Sequence, residues 1–296
     1  MPYLMKGKHW SERSTFRRKL QYPVFVEPKA DEIRVHVRVD VVAKTVQYLS
    51  YAEKPLYNLE FANHAFLEAA QFAGVYEFDC GFSCNDSFDD SRSYVRSSKN
   101  FPPRLRSAKL LFYVYDLPTS PLPYTQRRCL IDNLVGWCEC SGIEHLVQLP
   151  AYRAGSEADV LQFYTEFREL GYEGAMVKVM DHLYQLGKRS QDWLKIKPEE
   201  TADGKIVGFV EARATVPIPS RGVKVGDPLG RVGSVIVQLE DGTEARPHGI
   251  AHELGAEMLA NPSKYLGEWC EFAFMERDTQ GGYRHPVFRR IRDPKD

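Results

Sequence analysis

The chain has 296 residues, which suits two domains of ordinary size. Its 43% hydrophobic and 27% charged residues exclude a disordered or collagen-like chain, and no apolar run approaches the roughly 20 residues of a membrane-spanning helix. The net charge of −1 announces no polyanion binder, but residues 1–22 carry net +5, residues 92–109 net +6 with no acid, and residues 284–296 net +3. Three basic clusters on a neutral chain fit one positive face offered to a polyanion. The N-terminus lacks the apolar segment of a secretory signal, and six cysteines without a C-x-x-C pair are too sparse for a disulfide scaffold. The expectation is a soluble cytoplasmic protein with reduced thiols. Cys138, Cys140 and the nearby His145 lack the further ligands of a zinc site and are read as ordinary residues.

In chain order, Val24–Val26 reads as a strand, and Ile33–Val39 alternates with Ile33, Val35, Val37 and Val39 on one face. Residues 59–72 read as a helix with Leu59, Ala62, Phe66 and Ala69 in one stripe. A strand is expected at Val75–Cys80, then an Asp- and Ser-rich loop, then a strand at Lys109–Tyr115. Ser156 and Asp159 open a helix over about 157–170, which Gly171 ends. Strands follow at Ala175–Val179 and Trp193–Lys197. The segment Pro198–Gly204 then breaks the pattern, and short strands at Ile206–Glu211, Gly233–Leu239 and Trp269–Met275, with a helix-like stretch Ala251–Ala260, predict a small β-barrel. The boundary falls near residue 199: residues 1–199 form an α+β domain and residues 200–296 a compact β module.

Six constellations carry chemistry. Glu27-Pro28-Lys29-Ala30-Asp31-Glu32-Ile33-Arg34 puts Lys29 in a turn at a sheet rim. In Asp192–Lys197, Lys195 and Lys197 share a strand face with Trp193, a repulsive pairing unless an anion such as phosphate lies between them. Glu173 opens a buried-looking strand in Tyr172-Glu-Gly-Ala-Met-Val-Lys178, and Glu77 and Asp79 share a strand face. Carboxylates beside lysines and a phosphate are what Mg²⁺ coordination and ribose binding require. The remaining two are the aromatic strand Leu111–Asp116 and the basic terminus Arg284–Lys295.

Their order, K-x-D-x-x-R, aromatic strand, E-G-h-h-h-K, W-h-K-h-K and a terminal R-x-P-x-F-x-R-h-R-D-x-K, resembles the covalent nucleotidyltransferases. Within them it resembles the short ATP-dependent DNA ligases of bacteriophages, from about Val24 to Lys295. The resemblance implies an adenylyltransferase domain (ATP-grasp-like, antiparallel sheets with flanking helices) over residues 1–199 and a C-terminal OB-fold over 200–296. It implies ATP and Mg²⁺ as cofactors, nicked duplex DNA as partner, no membrane association, and action as a monomer. Lys29 would be the nucleophile that forms lysyl-AMP. Glu27 and Pro28 would line the adenine, Tyr115 would stack on it, and Arg34 would grip the ribose or phosphate side. Arg189, Lys195 and Lys197 would complete the ATP contacts, with Lys195 and Lys197 on the α-phosphate. Glu173 would organise the metal, with Asp79 as ribose or metal ligand. Arg292 and Lys295 would orient the pyrophosphate. Lys54, Arg92, Arg96, Lys99, Arg104 and Arg106 are the candidates for DNA contact.

A free lysine is protonated at neutral pH and is a poor nucleophile. Lys195, Lys197 and a bound metal are expected to disfavour the charged form of Lys29. Three departures stand out. Glu32 replaces the glycine of K-x-D-G. The third motif, D-G-E in the family, is absent literally: Glu77-Phe78-Asp79 keeps two acids and is the preferred register, whereas Asp79-Cys80-Gly81 loses the second. Ser50-Tyr51 stands where the family has Ser/Thr-Arg, with Lys54 as a candidate replacement charge. Two alternatives stay open: an RNA ligase or GTP-dependent mRNA-capping enzyme with the same lysyl–nucleotide chemistry, and a nicked-DNA binding protein without catalysis. The expected OB-fold argues against typical RNA ligases.

Overall fold

The computed structural model describes residues 3–15, 19–96, 101–217, 219–275, 277 and 281–292. The chain divides into two compact units, Met1–Ile196 and Lys197–Asp296. The first runs β1 (Lys6–His9), β2 (Val24–Lys29), β3 (Ile33–Asp40), β4 (Thr45–Ser50), α1 (Asn63–Ala73), β5 (Glu77–Cys84), α2 (Phe88–Arg96), β6 (Leu110–Asp116), α3 (Tyr124–Cys140), β7 (Leu146–Val147), β8 (Tyr152–Ala154), α4 (Glu157–Glu169), β9 (Gly174–Val179) and β10 (Arg189–Ile196). The second runs β11 (Glu200–Arg213), β12 (Pro228–Gln238), β13 (Glu244–Ala245), α5 (His252–Ala260), α6 (Pro262–Tyr265), β14 (Trp269–Phe274) and β15 (Val287–Ile291).

The first unit is mixed α+β, built on two five-stranded sheets, β1-β10-β9-β2-β8 and β4-β3-β5-β6-β7. Pairing is antiparallel except for β1 with β10 and β6 with β7. The alternation in β3 has a simple outcome. Val35, Val37 and Val39 join Phe78, Cys80 and Phe82 of β5 in the larger core, closed by Phe66 and Ala69 of α1. That leaves Arg34, His36 and Arg38 beside Glu77 and Asp79 on the opposite, polar face. In the other sheet Val24, Val26, Ala175, Val177, Leu194 and Ile196 form a second core with Val160 and Phe167 of α4. Its opposite face carries Glu27, Lys29, Lys178, Trp193 and Lys195.

Several expectations are corrected. The Asp- and Ser-rich segment is the end of β5 followed by α2, where Ser91, Tyr94 and Val95 are buried under an otherwise polar helix. The 17-residue α3 is not among the expected elements, although Ile131, Leu134, Val135 and Cys138 recur at helical spacing; Arg127 lies on the same buried face. The segment Pro198–Gly204 is no break after Glu199, since β11 starts at Glu200. Glu32 in place of glycine costs no left-handed backbone, because it is not among the residues with positive φ. Cys138 is buried and Cys140 exposed, both free, while His145 Nδ1 lies 2.9 Å from the Leu110 carbonyl.

The second unit is one antiparallel sheet, β13-β12-β11-β14-β15, around Ile206, Val235, Val237, Met258, Phe272 and Phe288. Single bridges from His248 reach Ser234 in β12 and Val287 in β15. No ladder closes this sheet into a barrel among the described residues. Nor is any helix among them long and apolar enough to cross a membrane.

Candidate active site

Lys29 ends β2 and pairs with Gly174 at the start of β9, so Glu173 arrives beside it, its N–H donating to the Lys29 carbonyl at 2.8 Å. The Lys29 ammonium donates to Glu173 Oε2 in a close ion pair. Burial acts to lower the lysine's pKa, but Glu32, then Glu173, and Asp31 outweigh it, and the net shift is upward. Without a bound metal, carboxylates and not the neighbouring lysines set the direction of this shift. In the ligand-free chain carboxylates surround Lys29 and hold it as an ammonium. Glu32 is driven towards its neutral form. Burial raises its pKa to about 7, against the pull of Lys29.

Arg34 comes from β3, in the other sheet. It holds Asp79 through both oxygens, Nε to Oδ1 at 2.8 Å and Nη2 to Oδ2 at 2.6 Å, and donates to the Met5 carbonyl at 2.7 Å. The Tyr184 hydroxyl adds a third bond to Asp79 Oδ2 at 2.7 Å. The carboxylate expected to take ribose or metal is therefore already held at both oxygens by Arg34 and Tyr184. Glu77 instead bonds His36 Nε2 at 3.1 Å, and His36 is stacked on Tyr3.

Glu27, expected at the adenine, is buried with Lys178 Nζ at 2.7 Å, Arg128 at 3.5 Å and the Tyr124 hydroxyl in close contact. Burial raises its pKa, opposed by Lys178 and Arg128. Pro28 pairs with Ala175. The Tyr115 hydroxyl and the Glu32 side chain both lie against Gly81. Lys195 lies across from Met176, itself across from Glu27, so it shares the sheet face of Lys29. Lys197 follows β10 and opens the second unit, where its Nζ is 3.8 Å from Met275 Sδ. The two lysines thus belong to different units. Arg292 makes a two-point contact with Asp203, at 2.8 and 2.9 Å. Lys295 and Lys99 lie outside the described residues.

Lys54, Arg92, Arg96, Arg104 and Arg106 are all exposed. Arg92 and Arg96 come from the last turns of α2, and Arg104 is tied to Asp90 of the same helix.

Several site residues carried no sequence signal. Lys6 of β1 stands 3.7 Å over the Tyr51 ring, with Arg34 at 5.8 Å. Burial lowers the Lys6 pKa, and Arg189 and Arg34 lower it further. Lys6 thus brings a cation against Tyr51, the residue that stands where the family has arginine. Its 45-residue separation from Tyr51 left nothing to read locally. Beneath the site, Arg127 and Asp116 form a fully buried ion pair, and His182 accepts from Trp193 Nε1 at 2.8 Å.

A divalent metal is tested by the donor set. Among the described residues no three His, Cys, Asp or Glu side chains converge as a metal cage. Mg²⁺ usually needs only one or two carboxylates plus substrate phosphates, and Glu173 beside Lys29 fits that demand.

The sequence model described as ATP dependent DNA ligase domain matches residues 4–197. The DNA ligase of Enterobacteria phage T3 is 33% identical over 194 residues, covering 62% of this chain and 50% of its own. That of Escherichia phage T7 is 29% identical over 166 residues, covering 49% and 44%. This chain therefore spans about half the length of the curated relatives it matches. A solved structure from a structure–function study of Lig E DNA ligases, described as binding DNA with a minimal scaffold, superposes with TM-score 0.74 at 18% identity. It covers 99% of this chain and 100% of its own, a likeness of fold.

Proposed function

We propose that this chain, which belongs to the family of ATP-dependent DNA ligase domains, seals 3′-hydroxyl/5′-phosphate nicks in duplex DNA through a lysyl-AMP intermediate. The observation that carries this reading is Lys29 paired with Glu173 at the meeting of β2 and β9, with Glu32, Tyr115 and the Arg34–Asp79 pair around it. Lys29 first gives up its ammonium proton to solvent, and the free amine Nζ attacks the α-phosphorus of ATP. A nitrogen–phosphorus bond forms, the bond to the bridging oxygen breaks, pyrophosphate leaves, and the second proton lost from the nitrogen also passes to solvent. AMP then moves to the 5′-phosphate of the nick, and the 3′-hydroxyl displaces it.

Such transfers depend on positioning and charge neutralisation more than on acid–base chemistry. Lys195 shares the sheet face of Lys29 and meets the α-phosphate. Arg34, its direction fixed by Asp79 and Tyr184, meets the ribose–phosphate side, and Arg189 and Lys197 add positive charge. Tyr115 stacks on the purine, beside the Glu27–Pro28 segment. Mg²⁺, when bound at Glu173, supplies charge neutralisation at the phosphates. Arg292 and Lys295 serve the pyrophosphate.

The second unit, read as an OB-type module and supported by the His248 bridges, and the exposed arginines of residues 92–106 serve duplex DNA. Lys54 joins them. Phosphate contacts of this kind are independent of sequence and weaken with salt. The protein acts as a monomer.

Intact-mass measurement after incubation with ATP and Mg²⁺ tests the reading. A single AMP adduct is expected on the wild type and none on Lys29→Ala, with nicked duplex sealed only by the former. Labelling from GTP but not ATP would favour the capping reaction, and no adduct at all would favour a nick-binding protein.

A further inference from the structure

Two departures from the family pattern sit on different segments of the chain, and the fold brings them into contact. Glu32 stands where K-x-D-G ends in glycine, and Gly81 stands at the second acid of D-G-E in the other register of the third motif, Asp79-Cys80-Gly81, which we adopt because Glu77 is engaged with His36 while Asp79 holds Arg34. β3 and β5 pair with Ile33 opposite Phe82 and Arg34 opposite Gly81. A Cβ on residue 81 would come within 2.3 Å of Glu32 Cγ and 2.2 Å of the Tyr115 hydroxyl oxygen. The Glu32 side chain therefore occupies the space that a side chain at 81 would need. One of the two positions can be large, and here it is 32.

Glu32 Oε2 and the Tyr115 hydroxyl are both buried and interact with each other, but neither makes a hydrogen bond of good geometry. In its ionised form the Glu32 carboxylate accepts only, and the lone pairs that Tyr115 leaves open can take a further donor. Within a nucleotide joined at Lys29 the phosphates offer acceptors and like charge. The ribose, next along from the α-phosphate, offers two hydroxyl donors.

We propose that the third motif takes the register Asp79-Cys80-Gly81 and that Glu32 supplies the acid this register lacks, crossing from the loop after Lys29 to accept hydrogen bonds from the ribose hydroxyls of the bound nucleotide. The proposal rests on the reading of Lys29 as the site of nucleotide attachment. It accounts for both departures by one exchange: glycine becomes glutamate at 32, and residue 81 becomes glycine to admit it.

The test measures Lys29 labelling by ATP and by 2′-deoxyATP. A hydrogen bond to a charged acceptor is worth on the order of tenfold to a hundredfold. Wild type should favour ATP by that factor, and Glu32→Gly should lose the preference. The exchanged pair Glu32→Gly/Gly81→Glu should regain it, whereas Gly81→Glu alone should label with neither nucleotide. Should the exchanged pair not fold by circular dichroism, Glu32→Gln, which keeps the shape without the charge, should show a reduced preference. An equal response of wild type to both nucleotides overturns the proposal, as does a folded exchanged pair that behaves like Glu32→Gly. If wild type takes no label from ATP, the adenylylation reading fails. Hydroxyl selection is then read from calorimetric binding, where equal affinity for the two nucleotides overturns it.

Discussion

Replacing Asp116 by alanine should destabilise the chain by about 3–5 kcal/mol, the usual cost of stripping one partner from a buried ion pair. Asp116 and Arg127 have no exposed side-chain surface, so solvent screening gives no relief. Arg127 Nε meets Asp116 Oδ1 at 2.5 Å and Nη2 meets Oδ2 at 3.0 Å, while the Leu117 N–H donates to Oδ1 at 2.8 Å. The alanine variant removes all three bonds and leaves the guanidinium with the Leu122 and His182 carbonyls, at 2.5 and 3.1 Å, and no counter-charge. At roughly 2–4 °C per kcal/mol for a unit of this size, Tm should fall by about 6–20 °C. Urea unfolding followed by circular dichroism gives the free energy directly. The pair Asp116→Leu/Arg127→Met removes the stranded charge and should recover part of the loss. A loss below about 1 kcal/mol in Asp116→Ala, or no recovery in the double variant, would refute the reasoning.

Acid should weaken the protein through His182, whose pKa burial pushes down to about 4. The unfolded histidine takes its proton near pH 6.5, so stability is lost as pH falls from there towards 4, and the slope in that window should flatten in His182→Gln. An unchanged slope would contradict this. Gly81→Ala should force Tyr115 and Glu32 aside, cutting nucleotide transfer more than stability, which overpacking lowers by about 1–3 kcal/mol; equal effects in transfer and unfolding assays would count against it. Arg292→Ala should change stability by less than about 1 kcal/mol, because its bond to Asp203 is solvent-screened, while slowing Lys29 adenylylation. Loss of stability without loss of adenylylation would assign Arg292 to the fold alone.

The sequence alone determined what is local. Period-two alternation placed Val35, Val37 and Val39 on the core side of β3, and the Ser156 cap and Gly171 stop bounded α4, because neighbours a few residues apart decide those features. The motif order also placed Lys29, Glu173 and Lys195 in one reading, and the pairing of β2 with β9 and of β9 with β10 puts them on one sheet. What only the tertiary structure decided concerns partners distant in sequence. Asp79 reads as a free ligand until Arg34 and Tyr184 hold it, and Lys29 reads as an amine among cations until Glu32 and Glu173 surround it. The helix α3 carries Ile131, Leu134, Val135 and Cys138 at helical spacing, but that Arg127 belongs to the same buried face was decided only by Asp116 and the Leu122 and His182 carbonyls that meet it there. Lys6 reached Tyr51 only through the parallel seat of β1 on β10. Glu32 and Gly81 looked like two unrelated departures in the sequence. They became one exchange only where β3 lies against β5, because a short-range pattern cannot report which side chains compete for the same space.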